Sequence, residues 1–244
     1  MTLDLQLIRE CLRFSTQVYD EFSIEDRGTS TQVLVGGSLD DEGALIVAFR
    51  GSREPRDFIN DARFLFKSPW SGDIHGAARV HRGFSGCWFS VADRVITRAR
   101  TARRIILTGH SLGAADAVLG AMDLKQLGLP VWKVVTFGCP RVGNAEFRDF
   151  YNANLHDETL RVAAQGDPVT VMPPWLLNGY RHVGRELYLP DAGGCRLEPA
   201  LWTKALPAAQ AILNDLRSVE EHRSLVFFGP HSLRNYSKLI GQLA

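Results

Sequence analysis

The sequence predicts an α/β protein built on a mostly parallel central sheet with helices on both faces. Three observations support this fold class. Segments with strand patterns alternate with segments of helical periodicity, several strands are apolar throughout, and the connections are long enough to hold a helix. No internal repeat, low-complexity tract or linker divides the 244 residues, so we expect one domain over residues 1–244.

The N-terminal part begins with an amphipathic segment over residues 3–19, in which apolar side chains recur at helical spacing. Two strands are expected at 31–35 and 44–49, because both segments are apolar and a turn-rich stretch separates them. A short helix is expected over 52–66, because Pro55 is well placed for a helix start.

The central part of the chain is expected to hold a long loop over 67–82 and a helix over 84–98, where apolar residues lie three and four apart. An apolar strand at 104–108 then runs into a glycine-rich turn, and an Ala-rich helix over 114–127 follows. Further strands are expected at 131–137, 159–164 and 186–189, and further helices at 144–154, 200–223 and 232–242.

Charge and composition exclude several classes of function. The chain has 28 Lys and Arg against 27 Asp and Glu, a net charge of +1, so we expect no nucleic-acid partner. No apolar stretch approaches the roughly 18 to 20 residues of a transmembrane helix. The cysteines lie far apart without zinc-ligand spacing, so we expect free thiols, no metal site and no cofactor. They are Cys11, Cys87, Cys139 and Cys195.

The first ten residues lack the basic region, apolar core and cleavage site of a secretory signal. We therefore expect a cytoplasmic protein, one exported by a route without a signal, or one whose signal was removed before Met1. Free thiols agree with a reducing compartment.

The segment Gly-His-Ser-Leu-Gly at 109–113 matches the G-x-S-x-G pattern of a nucleophile elbow. An apolar strand enters it and an Ala-rich helix leaves it, which is the context that the motif requires. The glycines allow the tight turn, and Ser111 then lies at a helix N-terminus, where backbone N–H groups face an oxyanion. The alternative is an ordinary turn serine.

A nucleophilic serine needs a histidine base, and that histidine needs a carboxylate. Asp167 follows the 159–164 strand in a Gly/Pro turn, whereas Asp149 lies in a helix and Asp191 in a later Gly-rich loop. Asp167 is therefore our candidate acid, with a plain turn aspartate as the alternative.

Three histidines follow Asp167. We favour His231, which opens the last helix after a Gly-Pro turn, over His182, which precedes a strand, and over His222, in a charged helix end. His110 is expected to have only a packing role, because it points the other way across the elbow.

Six segments in order resemble the filamentous-fungal-type class 3 lipases. They are residues 49–52, 80–84, 109–113, 137–144, 166–169 and 230–231. The resemblance implies an α/β-hydrolase fold with Ser111, Asp167 and His231 as the catalytic triad. It also implies oxyanion-hole donors at Ser52 and Leu112, with Asp61 supporting the Ser52 hydroxyl. A helix N-cap role for Ser52 is compatible with this.

These features together predict a serine carboxylic ester hydrolase, a lipase that cleaves acylglycerol esters through an acyl-enzyme. We expect a monomer whose partner is a lipid or ester substrate at a lipid–water interface. Phospholipase A1 and aryl or feruloyl esterase are alternatives within the enzyme class, and a non-enzymatic lipase-like interaction module is the alternative outside it. An arginine cluster at 98–104 suits anionic headgroups, although such clusters are more often solvated loops.

The segment 53–70 lies where similar lipases carry a helical lid. Phe58 and Ile59 fall on one helical face, and Phe64 and Trp70 extend the apolar surface. We expect this surface to cover the acyl groove in water and to bind a lipid interface. The alternative is an amphipathic helix that never moves.

Overall fold

A computed structural model describes residues 3–37, 39, 43–52, 67–71, 76–173, 179–199 and 229–243. Within these ranges, eight strands form one sheet, in the order β1 (Ile24–Asp26), β2 (Thr31–Gly37), β3 (Ala44–Phe49), β6 (Arg104–His110), β7 (Val131–Phe137), β8 (Thr159–Ala164), β9 (Arg185–Leu189) and β10 (Arg196–Leu197). The five central strands β3, β6, β7, β8 and β9 are parallel, and β1, β2 and β10 pair antiparallel at the two edges. The predicted mostly parallel sheet is confirmed.

The helices are α1 (Leu5–Gln17), α2 (Arg82–Ala99), α3 (Leu112–Gln126), α4 (Ala145–Leu155) and α5 (Leu233–Gly241), with a 3₁₀ turn at Val169–Val171. The predicted helices and strands within the described ranges are therefore present, with ends shifted by a few residues.

Two hydrophobic cores lie on opposite faces of the sheet. One contains buried side chains of α2, α3 and α4 and the β-strand residues Val47 and Leu107. The other contains those of α1 and α5 and the alternate strand residues Ile46 and Ile106. Because successive strand residues point to opposite faces, strands that are apolar throughout are buried on both sides. Coverage of both faces is thus confirmed.

The predicted loop at 67–82 is corrected, because it contains two short strands. Strand β4 (Lys67–Pro69) pairs antiparallel with β5 (Arg79–His81) in a separate two-stranded sheet. Trp70 lies next to β4 with 2% of its surface exposed, and its indole N–H donates to Gln126 at 2.9 Å. Trp70 therefore belongs to the core and does not extend an exposed apolar surface.

Other expectations fall partly or wholly outside the described residues. These are the helices expected over 52–66 and 200–223 and the greater part of the lid at 53–70. The four cysteines are free thiols, as expected. None of the helices in the described ranges is both long and apolar enough to cross a membrane.

Candidate active site

The carboxyl ends of β6, β7 and β8 bring the candidate residues to one edge of the sheet. These strands are parallel neighbours, with His110 paired to Phe137 and Phe137 to Val162. Ser111 follows β6 directly, and Asp167 lies three residues beyond the end of β8. Sheets of this type bind ligands at such an edge.

Ser111 lies in a tight strand-to-helix turn. Its φ of 60° and ψ of −126° place it in a region that non-glycine residues rarely adopt, and its backbone N–H donates to the Phe137 carbonyl at 3.0 Å. A Cβ at Gly109 would lie 2.3 Å from the Gly113 oxygen, and one at Gly113 would lie 2.1 Å from the Phe49 oxygen. Both glycines of the motif are therefore required by close backbone approach.

Asp167 and His231 form a buried pair. His231 Nδ1 lies 2.9 Å from both carboxylate oxygens of Asp167, and the side chains are almost fully buried. The Tyr236 hydroxyl donates to Oδ2 at 2.6 Å, and the Val169 backbone N–H donates to Oδ1 at 2.9 Å. The carboxylate thus accepts bonds from three groups.

Two opposing effects act on the pKa of Asp167. Burial is the largest and raises it, but attraction to His231 and the hydrogen bonds from His231 and Tyr236 outweigh burial. The pKa is therefore lowered overall. The pair holds a charged carboxylate against an imidazole, which fixes the orientation of the ring.

The pair faces the same edge as Ser111. The ring of His110, next to Ser111, lies 4.5 Å from the ring of His231 between centroids. A Cβ at Gly138, after β7, would lie 2.8 Å from both Asp167 Oδ2 and His231 Cε1, so the pair packs directly on that glycine. Nε2 of His231 is buried without a hydrogen-bond partner in the part of the chain that the structure describes. That nitrogen is the atom that a general base uses.

The oxyanion candidates also lie at this edge. Leu112 is the first residue of α3, and Ser52 is three residues beyond the end of β3. A Cβ at Gly51, which precedes Ser52, would lie 3.1 Å from Ser111 Cβ, so the β3 loop abuts the nucleophile. Asp61, the expected support of the Ser52 hydroxyl, and the expected lid residues Phe58, Ile59 and Phe64 lie outside the described residues.

The alternative residues within the described ranges have partners other than the Asp167–His231 pair or lie exposed. His182 Nε2 donates to the Thr170 carbonyl at 2.7 Å. Asp149 bonds to Arg148 at an exposed position, and Asp191 is exposed. His222 lies outside the described residues. In the described ranges no group of three His, Cys, Asp or Glu side chains is arranged to hold a metal ion.

His110 has more than the packing role that we expected. Its Nε2 donates to the backbone carbonyl of His231 at 2.6 Å, and its Nδ1 lies 3.1 Å from the Tyr19 hydroxyl. The sequence analysis missed the contact between His110 and the α1 region, although the alternation of side chains along β6 indicates on which face of the sheet His110 lies. Residues 106, 108 and 110 of β6 share one face, and Ile106 and Thr108 of that set contact α1 or its core.

Comparison with known proteins gives a consistent family assignment. Residues 46–177, more than half of the chain, match the family model described as Lipase (class 3). A secreted mono- and diacylglycerol lipase 1 from Fusarium solani is 36% identical over 155 residues, which cover 61% of this chain and 44% of that protein. A secreted mono- and diacylglycerol lipase A from Penicillium cyclopium is 34% identical over 152 residues, covering 60% of this chain and 48% of that protein. The chain thus spans about half the length of the curated relatives that it matches.

A solved triacylglycerol lipase from Penicillium expansum has a similar fold. Its TM-score is 0.69 at 24% identity, covering 86% of this chain and 90% of that one. At this identity the likeness concerns the fold, and it confirms the predicted α/β-hydrolase architecture.

The expectation of a cytoplasmic protein is corrected. Both relatives described above are named as secreted, which points to export. The expectation was wrong because it depended on the first residues of the sequence. The chain spans about half the length of these relatives, so its first residues do not indicate where the protein is located.

Proposed function

Because this chain belongs to the class 3 lipase family, we propose that it is a serine carboxylic ester hydrolase that cleaves acylglycerol esters through an acyl-enzyme. The observation that carries the proposal is the buried Asp167–His231 pair with an unpartnered Nε2, at the same sheet edge as Ser111. The named activities of the relatives support acylglycerols as the substrate class.

In the proposed reaction, His231 removes the Ser111 proton as the serine oxygen attacks the ester carbonyl. The negative charge that develops on the carbonyl oxygen is stabilised by donors at Leu112 and Ser52. His231 then protonates the departing alcohol, and a water molecule activated by the same nitrogen hydrolyses the acyl-enzyme. Asp167 stays charged and stabilises the imidazolium that forms twice in each cycle.

The nucleophile is tested by Ser111→Ala with p-nitrophenyl butyrate and a fluorophosphonate probe. We expect the variant to lose ester turnover and probe labelling, while Ser90→Ala, on the surface helix α2, keeps both. Full activity in folded Ser111→Ala would contradict the assignment.

The base is tested by a matched pair of histidine variants. We expect His231→Ala to abolish turnover and His182→Ala to retain it, because His182 Nε2 bonds to the Thr170 backbone carbonyl, whereas His231 bonds to the Asp167 carboxylate. The reverse pattern would transfer the role to His182.

The substrate class within ester hydrolases is tested by a panel of triacylglycerols, phospholipids and aryl esters. We expect acylglycerols to be cleaved fastest. A phospholipid preference would support phospholipase A1 instead, and an aryl-ester preference would support an esterase.

We also propose that the chain acts as a single-domain monomer at a lipid–water interface, with a lid in the part of 53–70 that precedes β4, since Trp70 belongs to the core. The proposed triad comes entirely from one chain, and eight strands between residues 24 and 197 form one sheet. The lid itself rests on sequence for residues 53–66. We expect short-chain triacylglycerol hydrolysis to rise sharply once an emulsion forms. Phe58→Asp with Ile59→Asp should weaken this rise and spare soluble esters.

A rate that increases smoothly through the solubility limit, unchanged by those substitutions, would contradict a moving lid. Light scattering after size-exclusion chromatography tests the oligomeric state.

A further inference from the structure

A short chain of hydrogen bonds runs beneath the proposed catalytic residues. The Tyr19 hydroxyl, in the turn after α1, lies 3.1 Å from His110 Nδ1, and His110 Nε2 lies 2.6 Å from the carbonyl oxygen of His231. His110 is 5% exposed and His231 is 1% exposed, so the bond between them is shielded from solvent, and Tyr19 is half-buried.

The direction of each bond follows from the chemistry of the acceptors. A backbone carbonyl only accepts, so His110 Nε2 carries the proton and donates to His231. Burial, aided by the nearby His231, lowers the pKa of His110 to about 3, so the ring is neutral and Nδ1 is an acceptor. The Tyr19 hydroxyl therefore donates to Nδ1.

The same tyrosine hydroxyl touches the loop that precedes the proposed oxyanion donor. A Cβ at Gly51 would lie 2.5 Å from the Tyr19 oxygen and 2.6 Å from the His110 carbonyl, so only glycine fits between them. Burial raises the pKa of Tyr19 to about 12, against the opposing effects of the Arg50 charge and of a backbone hydrogen bond from Gly51. Tyr19 thus contacts the residue next to Ser52.

We propose that Tyr19 and His110 are positioning residues that hold two loops in a fixed relation, the β3 loop with Ser52 and the loop with His231. This inference rests on the proposed function. In that function, the base and the oxyanion donor act on one substrate carbonyl and must keep their spacing within a fraction of an ångström.

The neutral state of His110 suits this role. The two imidazole rings are 4.5 Å apart between centroids, and His231 becomes an imidazolium during the proposed cycle. A charged His110 would oppose that step, whereas a neutral ring donates to the backbone of His231 without repelling its side chain.

The test compares four variants with the parental protein. Tyr19→Phe removes the hydroxyl, His110→Phe removes both ring nitrogens, and His110→Gln restores an N–H near the His231 carbonyl. Tyr151→Phe is the matched control, because its hydroxyl makes one buried bond to Thr159 at 2.8 Å, in a different part of the fold. Each variant is measured for kcat and KM on p-nitrophenyl butyrate and for its rate of fluorophosphonate labelling.

We expect His110→Phe to lower kcat and the labelling rate by about 10- to 100-fold, with KM within about twofold. Tyr19→Phe should lower both by about fivefold, since the bond from His110 to His231 remains. The double variant Tyr19→Phe/His110→Phe should be no slower than His110→Phe alone, because both substitutions interrupt the same connection between the two loops. His110→Gln should recover at least about threefold, and Tyr151→Phe should match the parental rates.

Single variants within twofold of the parental kcat would overturn the proposal, as would additive losses in the double variant. Equal losses in Tyr151→Phe would also overturn it, because they would indicate a general effect of stability.

A second measurement does not depend on activity. ¹⁵N NMR of the histidine rings should show His110 neutral with its proton on Nε2, and Tyr19→Phe should shift the His110 and His231 ring signals. If the parental protein were inactive but showed this NMR pattern, the proposed function would be contradicted and the link between the two loops would still be supported. If Tyr19→Phe left the histidine ring signals unchanged, the proposed link would be contradicted even if the enzyme were active.

Discussion

Two buried aspartates, one at the carboxyl edge of the sheet and one inside α3, have opposite surroundings. Asp167 is 3% exposed and accepts hydrogen bonds from His231, Tyr236 and the Val169 backbone. Asp116, on α3, is 1% exposed, and neither of its carboxyl oxygens has a hydrogen-bond partner among the residues that the structure describes.

The two carboxyl groups therefore differ in charge, although they are equally buried. Partners overcome burial at Asp167, whose pKa is lowered. At Asp116 burial acts alone and raises the pKa well above its ordinary value, so the neutral acid is favoured. The neighbouring thiols of Cys87 and Cys139 are themselves uncharged, since burial raises the pKa of each to about 12. The charge of a buried carboxyl group therefore depends on its charged neighbours and its hydrogen-bond donors.

The largest expected effect is a loss of ester turnover when the charge of Asp167, the carboxyl group with three hydrogen-bond donors, is removed. Asp167→Asn keeps the shape of the side chain but offers His231 Nδ1 an amide in place of a carboxylate, which disfavours the required tautomer. We expect kcat on p-nitrophenyl butyrate to fall by about 10⁴-fold, as in other triads of this kind. The control is Asp149→Asn at an exposed position, which should keep full activity. A loss below tenfold in folded Asp167→Asn would indicate that the pair does not act in catalysis.

Sequence patterns singled out Asp167 as the candidate acid but gave no reason to single out Asp116. Asp167 follows a strand and precedes a proline, in the chain order that a serine triad requires. Asp116 lies within an Ala-rich helix, where a polar side chain is normally assigned to the solvent face. Only the packing of α3 between the sheet and α2 shows that this position is buried.

The fold shows the same division between strong and weak signals. The parallel strands were predicted because each is five to seven residues long and largely apolar. The edge strands β1 and β10 have three and two residues, which is too short for any periodicity, and β4 and β5 exist through pairing with each other. The link from His110 to Tyr19 joins residues 91 positions apart, which no local pattern encodes.

The next largest effect is expected at Asp116, in stability and not in activity. A neutral buried acid contributes full stability below the unfolded pKa of about 4, and this contribution is lost as pH rises toward the folded pKa. Asp116→Asn removes that loss. In urea unfolding, the free energy of the variant relative to the parental protein should therefore rise by about 1.4 kcal/mol per pH unit above pH ~4.

The linkage at Asp167 has the opposite sign, because a lowered pKa gives stability above the unfolded pKa that is lost as pH falls through the folded one. The control for Asp116→Asn is Asp20→Asn, an exposed carboxyl beyond α1 that should show a much flatter pH dependence. Ester turnover by Asp116→Asn should stay within twofold of the parental value. A variant whose relative stability does not change between pH 4 and pH 8 would contradict the neutral state of Asp116.

A smaller effect is expected from removing one of the three hydrogen-bond donors to Asp167, the Tyr236 hydroxyl. Tyr236→Phe deletes the 2.6 Å bond to Asp167 Oδ2 and leaves the Ala164 N–H, which donates to the same hydroxyl at 3.1 Å, without its acceptor. His231 and Val169 still hold the carboxylate. We expect a loss of about 1 to 2 kcal/mol in unfolding free energy and a three- to tenfold fall in kcat. Tyr151→Phe should show the stability loss with unchanged kcat, and equal kcat losses in both would contradict a specific role for Tyr236.

The smallest effect is expected at Asp123, whose surroundings are intermediate between those of Asp167 and those of Asp116. This half-buried residue of α3 accepts one hydrogen bond, from the Trp88 indole N–H at 2.9 Å. Burial raises its pKa, and the Trp88 bond opposes that rise. Asp123→Asn keeps an oxygen that accepts from Trp88, and solvent screens the remaining charge effect.

We therefore expect Asp123→Asn to change the unfolding free energy by less than about 1 kcal/mol at pH 7, with the sign of the Asp116→Asn effect and a smaller pH slope. Asp123→Ala, which leaves the indole N–H without its acceptor, should instead destabilise the protein by about 1 to 3 kcal/mol. If Asp123→Asn stabilised the protein as strongly as Asp116→Asn, one donor would make no difference to a buried carboxyl group. The contrast between Asp167 and Asp116 would then have to come from the charge of His231 alone.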